Sequence, residues 1–100
     1  MAYDPGALNA SLAAAVGSDP TLMAELRDAF IQSAARQLDL MCRARCDANW
    51  YQSASRLKSL AASFGVTDLL DLCDEAIDGA PGDPVVLRKL AAAIDDFAAS

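Results

Sequence analysis

Apolar residues recur at helical spacing along most of the chain, and each run is bounded by residues that start or stop helices. Behind Ser18-Asp19-Pro20 the apolar line is Met23, Leu26, Phe30, Ala34, Leu38 and Met41. The next line is Trp50, Ala54, Leu57, Ala61 and Phe64, a four-three alternation, followed by Leu69, Leu70, Cys73 and Ile77. The last is Leu87, Leu90, Ile94 and Phe97. Each line is the stripe of a helix that buries one face and solvates the other.

The punctuation divides the chain into five helical segments. Asp4-Pro5 opens a short one that stops at Gly17, with aspartate as cap and proline at the first helical position. Ser18 or Asp19 is expected to cap the second, led by Pro20, and it meets no further glycine or proline before about Asp47, a span of roughly 40 Å at the helical rise. Asn49 is expected to cap the third, Trp50 to Phe64, which Gly65 closes. Thr67 is expected to cap the fourth, Asp68 to about Asp78, with Gly79 as its stop. Ala80-Pro81-Gly82 is a turn, and Asp83-Pro84 opens the fifth, which fades near Ser100. Four amphipathic helices with short connections pack most simply as an antiparallel up-down bundle. The expected fold is therefore all-α, a four-helix bundle with a short additional N-terminal helix across one end, as a single domain over residues 1–100.

Composition narrows the function classes. One hundred residues leave room for one core and none for a separate cofactor-binding fold. Alanine and leucine dominate an apolar content of 54%, whereas aromatic residues contribute only 6%, which favours helix over strand. A net charge of −6 argues against nucleic acid, whose phosphates call for a dense basic face. No apolar stretch is long enough for a membrane span, and Met1-Ala2-Tyr3-Asp4-Pro5 has none of the features of a secretory leader. A cytoplasmic monomer with protein partners is the expectation. The chain contains no histidine, which removes the imidazole base, the histidine-ligated metal and phosphohistidine together.

The third segment carries the informative chemistry. Asp47-Ala48-Asn49-Trp50 leads into Ala54-Ser55-Arg56-Leu57-Lys58-Ser59, followed by Leu60, the small-residue run Ala61-Ala62-Ser63 and Phe64-Gly65. This resembles the histidine phosphotransfer (HPt) domain, whose signature is Ala-His-x-Leu-Lys-Gly followed by small residues and Phe/Leu-Gly. The aspartate–tryptophan approach, the Leu69 to Glu75 pattern and the five-helix layout extend the resemblance over nearly the whole chain. By that alignment Ser55 stands where the family has its phosphorylatable histidine, and Ser59 where it has glycine.

The resemblance implies a module of two-component phosphorelay signalling that docks a response-regulator receiver domain or a histidine kinase. Its docking surface would combine Arg56, Lys58, Ser59 and Ala62 with Leu8, Leu12, Leu22 and Leu26 of the first two segments. The stripe supports part of this independently: with Ala54, Leu57 and Ala61 turned inward, Ser55, Ser59 and Ala62 fall on a more exposed face. The family's phosphoryl chemistry does not carry over. A serine hydroxyl needs a neighbouring base, and this chain has no histidine to act as one. The expected activity is docking without phosphate transfer, with no catalytic residue, no cofactor and no metal. The competing reading is a structural helical module that dimerises.

Two further clusters have plainer explanations. Cys42 and Cys46 lie four residues apart, so a continuous helix would set both thiols on one face, and with Cys73 they are too few for a closed zinc site. Structural thiols are expected, with an oxidisable Cys42–Cys46 pair as the alternative. Asp68, Asp71, Glu75 and Asp78 form an acidic helix edge whose simplest role is solvation.

Overall fold

The computed structural model describes residues 19–100. It contains four helices: α1 (Pro20–Arg43), α2 (Asp47–Phe64), α3 (Thr67–Asp78) and α4 (Pro84–Ala99). Among the described residues there is no strand, and no helix is long and apolar enough to cross a membrane. The expected helix before Gly17, with Leu8 and Leu12, lies outside the described residues.

Two helix starts follow directly from their capping residues. The Asp19 carboxylate accepts from the backbone N–H groups of Thr21 (3.0 Å) and Leu22 (3.1 Å), and Pro20 occupies the first helical turn. Asp83 accepts from the Val85 N–H at 2.9 Å in the same arrangement, with Pro84 behind it. Each cap satisfies donors that the helix cannot pair internally and contributes about 1 kcal/mol.

Gly65 ends α2 in the left-handed conformation, at φ 68° and ψ 25°. Its N–H donates to the Ala62 carbonyl at 3.3 Å, and the Val66 N–H reaches the Ala61 carbonyl at 3.0 Å. This is the Schellman arrangement, and Val66 adds the apolar contact that accompanies it by packing on the core. Gly82, at φ 81°, takes the third position of the Ala80–Asp83 turn that leads into α4.

Three boundaries differ from the sequence expectation. Helix α1 stops at Arg43 rather than near Asp47, because Ala44 turns into an extended conformation and packs against the core. Met41 and Trp50 are both fully buried, yet nine residues of continuous helix would set them about 180° apart, so the chain has to break between them. Helix α2 then begins at Asp47 with Cys46 as its extended N-cap residue, which places Asn49 inside the helix and not at its cap. Val66, not Thr67, precedes α3: it completes the end of α2 and its carbonyl accepts the Leu70 N–H at 3.0 Å. One residue thus serves both helices.

Each helix packs on its neighbour in sequence, and α4 packs back on α1, enclosing one core. Phe30, Ala34, Met41, Trp50, Ala54, Leu57, Ala61, Leu69, Cys73, Leu90 and Ile94 are buried as the stripes require, joined by Ala76 and Val86. Met23, placed in the α1 stripe by its spacing, is exposed. At one end Phe30 meets Phe64 with ring centroids 4.6 Å apart and Phe97 at 5.0 Å edge-on. The Arg27 guanidinium lies 5.0 Å over the Phe97 ring and donates to the Phe97 carbonyl, so a cation sits at the negative end of the α4 dipole. Toward the other end the Trp50 indole N–H donates to the Ala76 carbonyl at 3.1 Å, a buried bond between α2 and α3.

Candidate functional site

The outer surface of α2 is set by what the helix buries. Trp50, Ser53, Ala54, Leu57 and Ala61 fill its inner face, which leaves Ser55 and Ser59 exposed and Lys58, Ala62 and Ser63 half-buried along one strip. The Ser59 hydroxyl donates back to the Ser55 carbonyl at 3.1 Å, and the Ser63 hydroxyl to the Ser59 carbonyl at 2.9 Å. These i to i−4 bonds satisfy both hydroxyl donors within the helix. The strip therefore presents small side chains whose protons are already placed, a surface that is cheap to desolvate under a partner. A shallow depression of about 400 Å³, lined among the described residues by Lys58, Ser59, Ala62 and Ser63, opens beside it.

Lys58 is held in place. Its ammonium lies 2.6 Å from the Asp74 carboxylate on α3, with both side chains partly exposed. The hydrogen bond and charge of Asp74 raise the lysine above its ordinary range, so it stays protonated at any physiological pH. Its field is offset by its partner, whereas Arg56, on the other flank of α2, makes no ion pair among the described residues. This pairing was not legible in the sequence, because it joins two elements through residues outside both apolar stripes.

The expected docking residues therefore divide into two groups. Ser55, Arg56, Lys58, Ser59 and Ala62 share α2 and are exposed or half-buried. Leu22, 38% exposed, and half-buried Leu26 lie near the start of α1, beyond the Phe30–Phe64 contact that marks the far end of α2. Leu22 is two turns on one side of that contact and Ser55 more than two turns on the other, a separation of roughly 25 Å along the bundle. Ala62 and Leu26 are the members of the two groups nearest that contact, roughly 9 Å apart along the bundle.

The other clusters have separate fates. Asp68, Asp71, Glu75 and Asp78 are all exposed, and Glu75 pairs with Lys89 across to α4 at 3.1 Å. Cys42 and Cys46 do not share a helical face: Cys42 is in α1, and Cys46 is the extended residue before α2. Both are exposed, whereas Cys73 is buried and burial pushes its thiol up to about 12. Because the thiolate is the reactive form, a disulfide-exchange reagent at neutral pH should titrate two thiols quickly in the folded protein and the third only on unfolding. Fast reaction of all three in the folded state would contradict the packing around Cys73.

Ser53 is a buried polar residue that the stripe reading missed. It is 6% exposed, and its spacing from Trp50 and Leu57 is the signal that places it on the inner side of α2. Between the end of α1 and the first half of α2 it lines an open groove of about 290 Å³ with Leu40, Arg43, Ala44, Asn49, Gln52 and Arg56. Comparison of the chain with protein-family models, with curated proteins and with solved structures finds no match.

Proposed function

We propose that this chain is an HPt-like docking module of two-component signalling that binds a receiver or histidine-kinase domain and accepts no phosphate. In this reading the bundle is antiparallel and up-down, it works in the cytoplasm as a monomer, and it has no catalytic residue. The observation that carries the reading is the exposed α2 strip. Ser55 stands at the motif position above buried Ala54, Leu57 and Ala61, flanked by small side chains that let a partner backbone approach closely.

The chemistry of this strip argues against relay. Imidazole titrates near pH 6.5 and its neutral form is a nucleophile at physiological pH, whereas a serine hydroxyl must be activated by a base. Lys58 is protonated and bound to Asp74, so it is no base, and the Ser59 hydroxyl proton is committed to the Ser55 carbonyl. A phosphate ester on serine would also lack the labile P–N bond that makes transfer reversible. Mixed with a radiolabelled phospho-receiver, the chain is expected to retain the receiver and to stay unlabelled. Acid-labile label on this chain would overturn the reading. A tight homodimer that hides the α2 strip and retains no receiver would establish the structural-module alternative instead.

A further inference from the structure

We propose that the groove between the C-terminal end of α1 and the first half of α2 binds an acidic peptide segment of a partner protein. The site lies on the Arg56 flank of α2, opposite the Lys58–Asp74 side, and it does not depend on the receiver-docking reading.

Charge is strongly segregated here. Four of the eight cations of the chain, Arg36, Arg43, Arg45 and Arg56, fall between positions 36 and 56, beside only two of its fourteen acids, Asp39 and Asp47. This local excess of positive charge stands in a protein whose net charge is −6. Arg43 and Arg56 line the groove itself. Such a local field steers an oppositely charged segment toward this end of the bundle.

The rim already holds one carboxylate. Arg43 Nε lies 3.2 Å from Asp39 Oδ1 and 3.1 Å from Oδ2, so the guanidinium is presented in a geometry that suits the incoming group. The Arg43 side chain is 76% exposed, and a pair of this kind one helical turn apart contributes only about 0.3–0.5 kcal/mol. An external carboxylate can therefore replace Asp39 at little cost.

The remaining lining selects peptide over a free anion. Asn49 and Gln52 each offer donors and an acceptor, which matches the alternating N–H and C=O groups of a peptide backbone, whereas phosphate uses donors alone. Leu40, an exposed large apolar residue, and Ala44 supply an apolar wall for a neighbouring side chain. At about 290 Å³ the groove is at the small end of the range for ligand pockets and admits a few side chains, not a whole cofactor. Nucleic acid is disfavoured by the net charge of −6 on a chain this small.

The test is fluorescence anisotropy of a labelled oligoglutamate peptide against the full chain, with an oligoglutamine peptide of equal length as control. Oligoglutamate is expected to bind with an affinity that falls steeply with added salt, and oligoglutamine to bind at least tenfold more weakly. Arg43→Gln and Arg56→Gln should each weaken oligoglutamate about tenfold, the scale of one lost charge-assisted hydrogen bond. Lys58→Gln should leave it unchanged, because Lys58 lies on the other flank of α2 and does not line the groove. Equal binding of the two peptides, or full affinity in both arginine variants with unchanged melting, would overturn the proposal. Complete displacement of the peptide by low concentrations of inorganic phosphate would also overturn it, assigning the groove to a free anion.

Discussion

Trp50→Ala is expected to cost about 3–5 kcal/mol, the largest stability loss of any single substitution considered for this fold. Trp50 is 1% exposed and heads the largest fully buried side chains, so truncation removes its apolar area and leaves a cavity between α2 and α3. A second loss adds to the first. The Ala76 carbonyl belongs to the last turn of α3, where carbonyls have no partner within the helix, and the Trp50 indole N–H supplies one at 3.1 Å. Trp50→Phe separates the two effects: it keeps most of the buried area and leaves the carbonyl unpaired, for a smaller cost of about 1–3 kcal/mol. For a domain whose total stability is on the order of 5–15 kcal/mol, Trp50→Ala takes a large share of the whole. Urea unfolding of wild type and both variants checks the order. Wild-type stability in Trp50→Phe would show that the indole bond contributes nothing.

Much of this fold was legible because the sequence states its helix ends chemically. Asp19-Pro20 and Asp83-Pro84 each combine a side-chain acceptor with a ring that fits the first helical turn, and both starts are where these residues place them. Gly65 marks the end of α2 because the closing residue needs a positive φ. The α1–α2 boundary carried no such mark. Residues 43–46 contain neither glycine nor proline, and the turn is imposed by two buried side chains, Met41 and Trp50, that a single helix would point in opposite directions. That is a tertiary requirement, and reading Cys42 and Cys46 as one helical face failed with it.

The α2 strip was half legible. The inward spacing of Ala54, Leu57 and Ala61 sufficed to expose Ser55 and Ser59. The bonds that occupy the serine hydroxyls and the Lys58–Asp74 pair were not, since they depend on rotamers and on a partner sixteen positions away on another helix. The grouping of Leu22 and Leu26 with this strip followed the resemblance, and the Phe30–Phe64 contact places them beyond the end of α2 that carries Ala62 and Ser63.

Docking through the small-residue strip is tested most directly by one comparison, the titration of a receiver domain against wild type and Ser59→Arg. Ser59 is exposed, and its hydroxyl bonds only the Ser55 carbonyl, so the substitution leaves the core intact and a melting curve can verify it. An arginine there projects a long side chain into the point of closest approach, where well-packed contacts carry most of the binding energy. Loss of the order of 3 kcal/mol, about a hundredfold in affinity, is expected. Leu22→Asp, roughly 20 Å away along the helices, should weaken binding less. Wild-type affinity in the folded Ser59→Arg variant would contradict docking through this strip.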